Sequence, residues 1–117
     1  MTQELADRHC KACEGGVKPL QPDQTAALLK GLHAEWALSE NGLEISRNFS
    51  FPAYSRTLAF ANAVAWIAIT EGHHPVLTVS YGSCGVSYTT HAINGLSDND
   101  FICAAKIDRL TARAGAD

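Results

Sequence analysis

The stretch EGHHPVLTVSYGSCGVSYTTH, residues 71–91, contains the signals that decide how this chain folds. Glu71-Gly72 predicts the end of a helix, because glycine commonly follows the last helical residue. Apolar residues alternate with smaller or polar ones over 77–81 and again over 86–88, on either side of a turn predicted at Gly82-Ser83. The stretch therefore predicts a helix end followed by an antiparallel β-hairpin.

Three histidines stand at the two ends of this predicted hairpin, His73 and His74 before it and His91 at the end of its second strand. Proline restricts the preceding residue to extended conformations, so Pro75 holds His74 out of a helix. With the turn at Gly82-Ser83, positions 74 and 91 are directly opposed in a regular hairpin, where Cβ atoms lie roughly 4.5–5.5 Å apart. We therefore expect the three histidines to cluster at one edge of the sheet.

Clustered histidines suit more than one kind of chemistry. An unperturbed pKa of about 6.5 lets imidazoles donate and accept protons near neutral pH, so general acid–base catalysis is the first hypothesis. Zinc held by three histidines and a water is the second, although adjacent histidines rarely ligate one ion and Glu71 is the main carboxylate nearby. Hydrogen bonding alone is the third interpretation, and it is the one we apply to His9 and His33.

A helix and a hairpin are predicted before this stretch. Gln21-Pro22-Asp23 opens the helix, and the hairpin turns at Asn41-Gly42. Ser50-Phe51-Pro52 predicts the start of a second helix over about 53–70, with serine as its cap and proline in its first turn. Because this helix is apolar on nearly all sides, it is expected to be buried between layers. Three aromatic residues are assigned to the core: Trp36, Phe60 and Trp66.

A last helix, over about 98–112, completes the predicted fold. Ser97 and Asp100 resemble a capping box at its start. The order helix, two strands, helix, two strands, helix predicts an α+β fold, with one four-stranded antiparallel sheet and three helices on one face. The uncovered face of such a small sheet hints at a homo-oligomer.

Length and composition bound the class of protein. The 117 residues fit one domain, with 1–20 expected as a loosely ordered lead-in and 21–117 as the folded domain. The net charge of −3, with no basic run, excludes a nucleic-acid footprint. The chain shows neither a signal peptide nor an apolar run near the ~20 residues of a membrane span. Together with four scattered cysteines, these features predict a cytoplasmic protein.

Cys10 and Cys13 form a single CxxC motif. Structural zinc usually needs two such pairs or added histidines, so we interpret the motif as two thiols that lie close together in a mobile segment. Cys84 follows a turn away from the histidines and is not expected to act as a nucleophile. Arg47 and Arg56 are interpreted as ordinary solvated charges.

Several motifs together resemble the pterin-4a-carbinolamine dehydratase family. They are Glu71-Gly72-His73-His74-Pro75, Tyr81, Thr90-His91, Gly95-Leu96-Ser97, Asn99-Asp100-Phe101-Ile102 and Ala104-Ala105-Lys106-Ile107-Asp108. The resemblance covers about residues 20–112, and five further landmarks fit its bacterial-type members: Cys10, Cys13, Trp36, Gly42 and Phe49. It implies a dehydratase without cofactor or metal, which removes water from a 4a-hydroxytetrahydropterin to give quinonoid dihydropterin. It also implies the same four-stranded sheet with three helices, and homodimers or tetramers packed through helices.

The same resemblance implies the site residues. The catalytic residues would be His73, His74 and His91, and the substrate-binding residues would be Gly72, His73, His74, Thr89, Thr90, His91 and Ala92. We expect His73 and His91 to transfer protons while His74 mainly positions the substrate. The chain departs from some members, which carry an acidic residue in place of Gly72, an aromatic residue in place of Leu77 and tryptophans in place of Tyr88 and Thr89. A smaller, less aromatic pocket is therefore expected.

A binding role remains open beside the enzymatic one. Animal members of the family also bind the dimerisation domain of a homeodomain transcription factor, and the bacterial-type landmarks do not favour that partner. A regulatory role beside a phenylalanine hydroxylase is the other alternative. Neither a nucleic acid nor a membrane is an expected partner.

Overall fold

Helices and strands follow one another in the predicted order. The computed structural model describes residues 4–12 and 17–114, with side chains as far as residue 112. In this part of the chain the elements are α1 (Pro22–Leu29), β1 (Ala37–Leu38), β2 (Ile45–Ser50), α2 (Tyr54–Glu71), β3 (Val76–Val79), β4 (Ser83–Tyr88) and α3 (Asp98–Ala114), with 3-10 helices at Leu5–Asp7 and His91–Ile93. No helix in these two ranges is both long enough and apolar enough to cross a membrane.

The four strands form one antiparallel sheet in the order β1-β2-β4-β3, which confirms the predicted α+β fold. Every second residue of the two central strands is buried: Ile45, Arg47, Phe49, Cys84, Val86 and Tyr88. The alternate residues of β2, namely Ser46, Asn48 and Ser50, are exposed. The sheet therefore has one face towards the core and one polar face.

Aromatic residues fill the space between the sheet and the helices. The Phe49 ring lies 4.5 Å from that of Phe60 and 6.3 Å from that of Trp36, measured between centroids. Trp36 and Phe60 are 3% and 7% exposed, which confirms their assignment to the core. Around them pack residues that are almost fully buried: Ile45, Val64, Val86, Phe101 and Ile107.

The prediction that α2 is buried on nearly all sides is wrong. Only one side of the helix is buried, through Thr57, Phe60, Ala61 and Val64. On the other side Trp66 is 65% exposed and Ile69 71% exposed, so Trp66 is not a core residue. The sheet and α3 cover only one side of α2, and a single chain of this size supplies no third layer.

The predicted serine cap of α2 is also wrong. Ser50 is the last residue of β2, and the helix starts after Ala53 without a side-chain hydrogen bond to cap it. The alternation of β2 continues to Ser50, and its pairing with Ser83 of β4 extends the strand over the residue that local capping signals favoured.

Arg47 is buried, so its interpretation as a solvated charge is wrong. Its position on β2 places it on the inner face, where its guanidinium donates to Asp108 over 2.8 Å and lies 4.2 Å from the Phe49 ring centroid. Trp36 Nε1 donates to the same carboxylate over 2.7 Å. The pairing with Asp108 lets the sheet bury a cation that would otherwise be costly to desolvate. Arg56, by contrast, is exposed as expected.

The β3–β4 hairpin forms, but its register differs from the prediction by two residues. Val79 pairs with Cys84 and Val76 with Ser87, and the Ser80 amide donates to the Ser83 carbonyl. The turn therefore lies at Tyr81-Gly82, one residue earlier than predicted. β4 ends at Tyr88, so His91 is not at the end of a strand.

Candidate active site

The end of α2 positions the histidine pair. Gly72 adopts a left-handed conformation with φ of 67°, and the His73 amide donates to the Ala68 carbonyl over 3.1 Å. This arrangement closes the helix at a glycine that carries no Cβ penalty. Pro75 then leads into β3, so His73 and His74 lie in the short connection between α2 and the sheet edge.

His91 reaches His74 by a route that hairpin pairing alone does not describe. After β4, Thr90 and Gly95 form an isolated antiparallel bridge, and the residues between them turn as the 3-10 helix His91–Ile93. Asn94 closes this turn in a left-handed conformation with φ of 53°. The His74 and His91 rings stack with their centroids 6.1 Å apart, so the expected proximity of these histidines is confirmed.

His73 is bound to a buried carboxylate. Its Nε2 lies 2.6 Å from Oδ1 of Asp100, which is fully buried, and its ring stacks on Tyr88 at 5.6 Å between centroids. Burial opposes the charged imidazolium, but the hydrogen bond and the negative charge of Asp100 outweigh it and hold the pKa of His73 above its ordinary value. The Cys103 sulfur acts in the same direction. The surroundings of His73 therefore favour its protonated form.

A hydrogen-bond chain holds Asp100 in place. Its Oδ2 accepts the Thr90 hydroxyl over 2.7 Å and the Ser97 amide over 3.0 Å. Because Thr90 gives its hydroxyl proton to Asp100, the Ser97 hydroxyl donates to Thr90 across 2.7 Å. Of the two hydrogen bonds of the predicted capping box, the one from the Ser97 backbone amide to the Asp100 carboxylate forms. The Ser97 hydroxyl bonds to Thr90 instead. Both carboxylate oxygens of Asp100 thus have hydrogen-bond partners. The bonds to Oδ2 hold Oδ1 facing His73.

The sequence alone does not identify Asp100 as a site residue. It appears there as a helix cap and as part of a family motif, and it stands 27 residues after His73. Only the docking of α3 against the end of α2 brings the two side chains together. The sequence signal that points to Asp100 is its place in the first turn of the helix that follows the three histidines.

One open cavity of about 350 Å³ gathers the expected residues. Its wall includes all seven positions that the resemblance implies for substrate binding: Gly72, His73, His74, Thr89, Thr90, His91 and Ala92. Four residues that the sequence did not predict also line the cavity: Lys11, Ala12, Glu71 and Asn99. The cavity therefore joins the connection after α2, the turn after β4, the start of α3 and the chain before α1.

Residues 4–12, here called the N-terminal strap, contribute Lys11 and Ala12 to one wall of this cavity. The Cys10 amide donates to Oε1 of Glu71 over 2.7 Å. The Lys11 amide donates to the Asn99 side-chain oxygen over 3.0 Å, and the Asn99 amide group donates back to the Lys11 carbonyl over 2.6 Å. These contacts place Lys11 and Ala12 beside the histidines. Cys13 of the CxxC motif lies outside the described residues.

A larger cavity of about 620 Å³ adjoins the first and shares Lys11, Ala12 and Asn99 with it. It contains neither the His73–Asp100 pair nor the stacked histidines, so the smaller cavity is where proton-transfer groups converge. Within residues 4–12 and 17–114, no group of three or more His, Cys, Asp or Glu side chains is arranged to hold a metal ion.

Fold and site together define an α+β protein with a histidine–carboxylate pocket at one edge of its sheet. A family model described as Pterin 4 alpha carbinolamine dehydratase matches residues 18–110. A protein of Nitrosomonas eutropha is 58% identical over 92% of this chain and 93% of its own length. One of Legionella pneumophila (strain Corby) is 50% identical over 94% and 97%. Both are provisionally named pterin-4-alpha-carbinolamine dehydratases.

Solved structures agree in fold. A crystal structure from Brucella melitensis, described as a transcriptional coactivator/pterin dehydratase, has a TM-score of 0.75 and 26% identity, and the match covers 80% of this chain and 98% of that one. A pterin dehydratase-like protein described as a RuBisCO assembly factor has a TM-score of 0.58 at 23% identity, which shows the fold alone. The chain belongs to the pterin-4α-carbinolamine dehydratase family.

Proposed function

We propose that this protein is a 4a-hydroxytetrahydrobiopterin dehydratase, which eliminates water from pterin-4a-carbinolamine to give quinonoid dihydropterin by histidine acid–base catalysis. The observation that carries the proposal is a single cavity that brings three histidines together with a buried carboxylate on one of them. The volume of about 350 Å³ lies within the usual range of small-molecule sites.

The reaction needs one proton donor and one proton acceptor. The 4a-hydroxyl is a poor leaving group until it is protonated, and a ring N–H must lose its proton as the C4a–O bond breaks. Substrate then becomes product plus water, with no net change in protons. Each correctly placed proton transfer typically contributes 10²–10⁴-fold to the rate.

The residues divide these tasks according to their surroundings. His73 is the proton donor, because Asp100 raises its pKa and so favours the imidazolium form. His91 is the acceptor, and its stacking partner His74 positions the pterin. Gly72, Thr89, Thr90 and Ala92 complete the wall against which the bicyclic substrate lies.

A turnover assay on a synthetic 4a-hydroxypterin tests this proposal. We expect His73→Ala and His91→Ala to lose 10²-fold or more of the dehydration rate, and His74→Ala to raise KM more than it lowers kcat. His33→Ala is the matched control, since His33 lies outside the cavity and its variant should keep the wild-type rate. Undiminished activity in both His73→Ala and His91→Ala would overturn the proposal.

The assay is repeated with a chelator to separate acid–base catalysis from metal catalysis. Turnover that resists the chelator is expected. Loss of turnover with the chelator, restored by added metal, would contradict the assignment of both proton transfers to histidines.

We further expect the enzyme to work in the cytoplasm as a homodimer or homotetramer. It would act there beside an aromatic amino acid hydroxylase in tetrahydropterin recycling.

A protein-binding role is the second candidate function. The description of the Brucella melitensis structure joins a coactivator to a dehydratase, and α2 offers an exposed apolar side that includes Trp66 and Ile69. An absence of turnover, together with tight binding of an aromatic amino acid hydroxylase or a transcription factor, would favour this role over the enzymatic one.

A further inference from the structure

The N-terminal strap is attached to α3 along its length. Arg8 pairs with Asp98 at 3.0 Å, Lys106 donates to the Ala6 carbonyl over 2.9 Å, and Arg109 pairs with Asp7 at 2.7 Å. These contacts are ion pairs and hydrogen bonds at or near the surface, which are individually weak. A covalent bond would therefore hold the strap more firmly than these contacts do. It would also fix the wall of the cavity that the strap provides.

Such a link is available from two thiols. The sulfur atoms of Cys10 and Cys103 lie 3.4 Å apart, although the residues are 93 positions apart in the chain. Cys103 is fully buried on α3, and Cys10 is partly buried on the strap. Because a disulfide bond is about 2.05 Å long, the two atoms must approach by roughly 1.4 Å to form one.

The surroundings prepare one of these thiols for reaction. The Cys10 and Cys103 thiols share a hydrogen bond, and this bond, against the effect of burial, lowers the pKa of Cys103 below its ordinary value. The His73 cation acts in the same direction. The same hydrogen bond, together with burial, raises the pKa of Cys10. The thiolate is the nucleophilic form of cysteine.

We propose that Cys10 and Cys103 form a reversible dithiol–disulfide pair, which peroxide oxidises and a dithiol reductant restores. One of the two sulfurs attacks one oxygen of hydrogen peroxide, the O–O bond breaks and one water leaves, which gives a sulfenic acid. The other sulfur then attacks the sulfenic sulfur, and the sulfenic oxygen leaves as a second water. Two thiols and one peroxide thus become one disulfide and two waters.

The disulfide would act on one wall of the cavity. Cys103 lies one helical turn after Asn99 and Asp100, which hold the strap and His73 respectively. A bond from Cys10 to Cys103 pins the strap residues Lys11 and Ala12 in the cavity wall. This inference concerns the strap and does not depend on which ligand the cavity takes.

Disulfide mapping on the full chain tests the pairing. Trypsin and a protease that cleaves before aspartate place the four cysteines in separate peptides: 9–11, 12–22, 57–97 and 100–106. After treatment with hydrogen peroxide and blocking of free thiols, we expect a link between 9–11 and 100–106 that dithiothreitol removes. A Cys10–Cys13 link in its place, or free thiols at Cys10 and Cys103, would overturn the proposal.

Thermal unfolding tests the pinning of the strap. Closing a loop of this length constrains the unfolded chain strongly, so oxidised wild-type protein should have a Tm at least about 5 °C above the reduced protein. Cys10→Ser should abolish this difference, and Cys84→Ser, which removes a buried thiol of β4 instead, should keep it. A mapped Cys10–Cys103 bond with an unchanged Tm would show that the strap is not pinned.

Discussion

At the scale of single residues, the chemistry of the site depends on what surrounds each histidine. His73 is 12% exposed and bound to a carboxylate, whereas His74 and His91 are exposed and stack on each other. Three identical side chains are thereby given different environments within one cavity. The dehydratase proposed above depends on this difference between the environments of His73 and of the other two histidines.

Asp100→Asn is expected to lower the pKa of His73 and to slow dehydration by about 10²-fold, because the carboxylate charge that favours the imidazolium is lost. The His73 ring resonances, followed by NMR against pH, report the pKa, and the pH–rate profile should move in the same direction. Asp23→Asn is the control, since Asp23 also lies in a first helical turn but outside the cavity. Unchanged titration of His73 in Asp100→Asn would contradict the assignment.

The His73–Asp100 pair also predicts how stability depends on pH. The folded protein raises the pKa of His73, so the folded state binds more protons than the unfolded chain. The stabilisation is complete below the unfolded-state pKa, near 6.5, and is lost as the pH rises through the higher folded-state value. The Tm difference between wild type and His73→Gln should therefore be largest at about pH 6 and shrink towards alkaline pH. A constant difference would argue against the charged pair.

At the scale of elements, short connections between helices and strands carry the site. The glycine that ends α2 positions His73 and His74, and the turn after β4 positions His91. The first turn of α3 adds Asp100. The regular elements themselves contribute mainly the rigid frame that holds these connections together.

Gly72→Ala tests the closure of α2. At φ of 67° a Cβ meets no atom within 4 Å, so its cost is backbone strain of about 1 kcal/mol, or a fall in Tm of about 5 °C. Gly72→Asn should lose less, because asparagine tolerates this conformation better. Gly85→Ala in β4 is the matched control, as its Cβ would make ordinary contacts at 3.7 Å. Equal losses at the two glycines would count against strain at Gly72.

At the scale of the whole molecule, the outer side of α2 is an apolar surface that a single chain leaves exposed. Trp66 and Ile69 are mostly exposed, and Leu58 is 38% exposed on the same helix. Exposed apolar patches of this kind mark contact sites more often than inert surface. The face of the sheet that points away from the helices is polar along β2, so α2 is the better candidate for self-association.

Ile69→Lys is expected to reduce the assembly by at least half its number of subunits, because it places a charge in the apolar surface of α2. Sedimentation velocity at several concentrations measures this against the wild type. Leu43→Lys, which adds the same charge to the turn between β1 and β2, should leave the assembly unchanged. A wild-type protein that sediments as a monomer at every concentration would remove α2 as an oligomer interface.

Local signals were sufficient for the order of elements and the approximate position of each connection. Gln21-Pro22-Asp23 precedes α1, Asn41-Gly42 separates β1 from β2, and Gly72 closes α2. Each of these signals acts within a few residues, so it is readable without the rest of the chain. The same locality explains the error at Ser50, where pairing with β4 extends a strand over a residue that suits a cap.

The sequence by itself determined the helices, the two hairpins and the expectation that histidines from both ends of one hairpin meet. Only the tertiary structure decided that Asp100 binds His73, that Cys10 meets Cys103, and that Arg47 lies inside while Trp66 lies outside. The conformational preference of a residue and the formation of a turn depend on neighbouring residues, which can be read directly from the sequence. Pairings across 27 or 93 positions depend on how α3 packs on the sheet and the strap, and that packing is settled by the whole core.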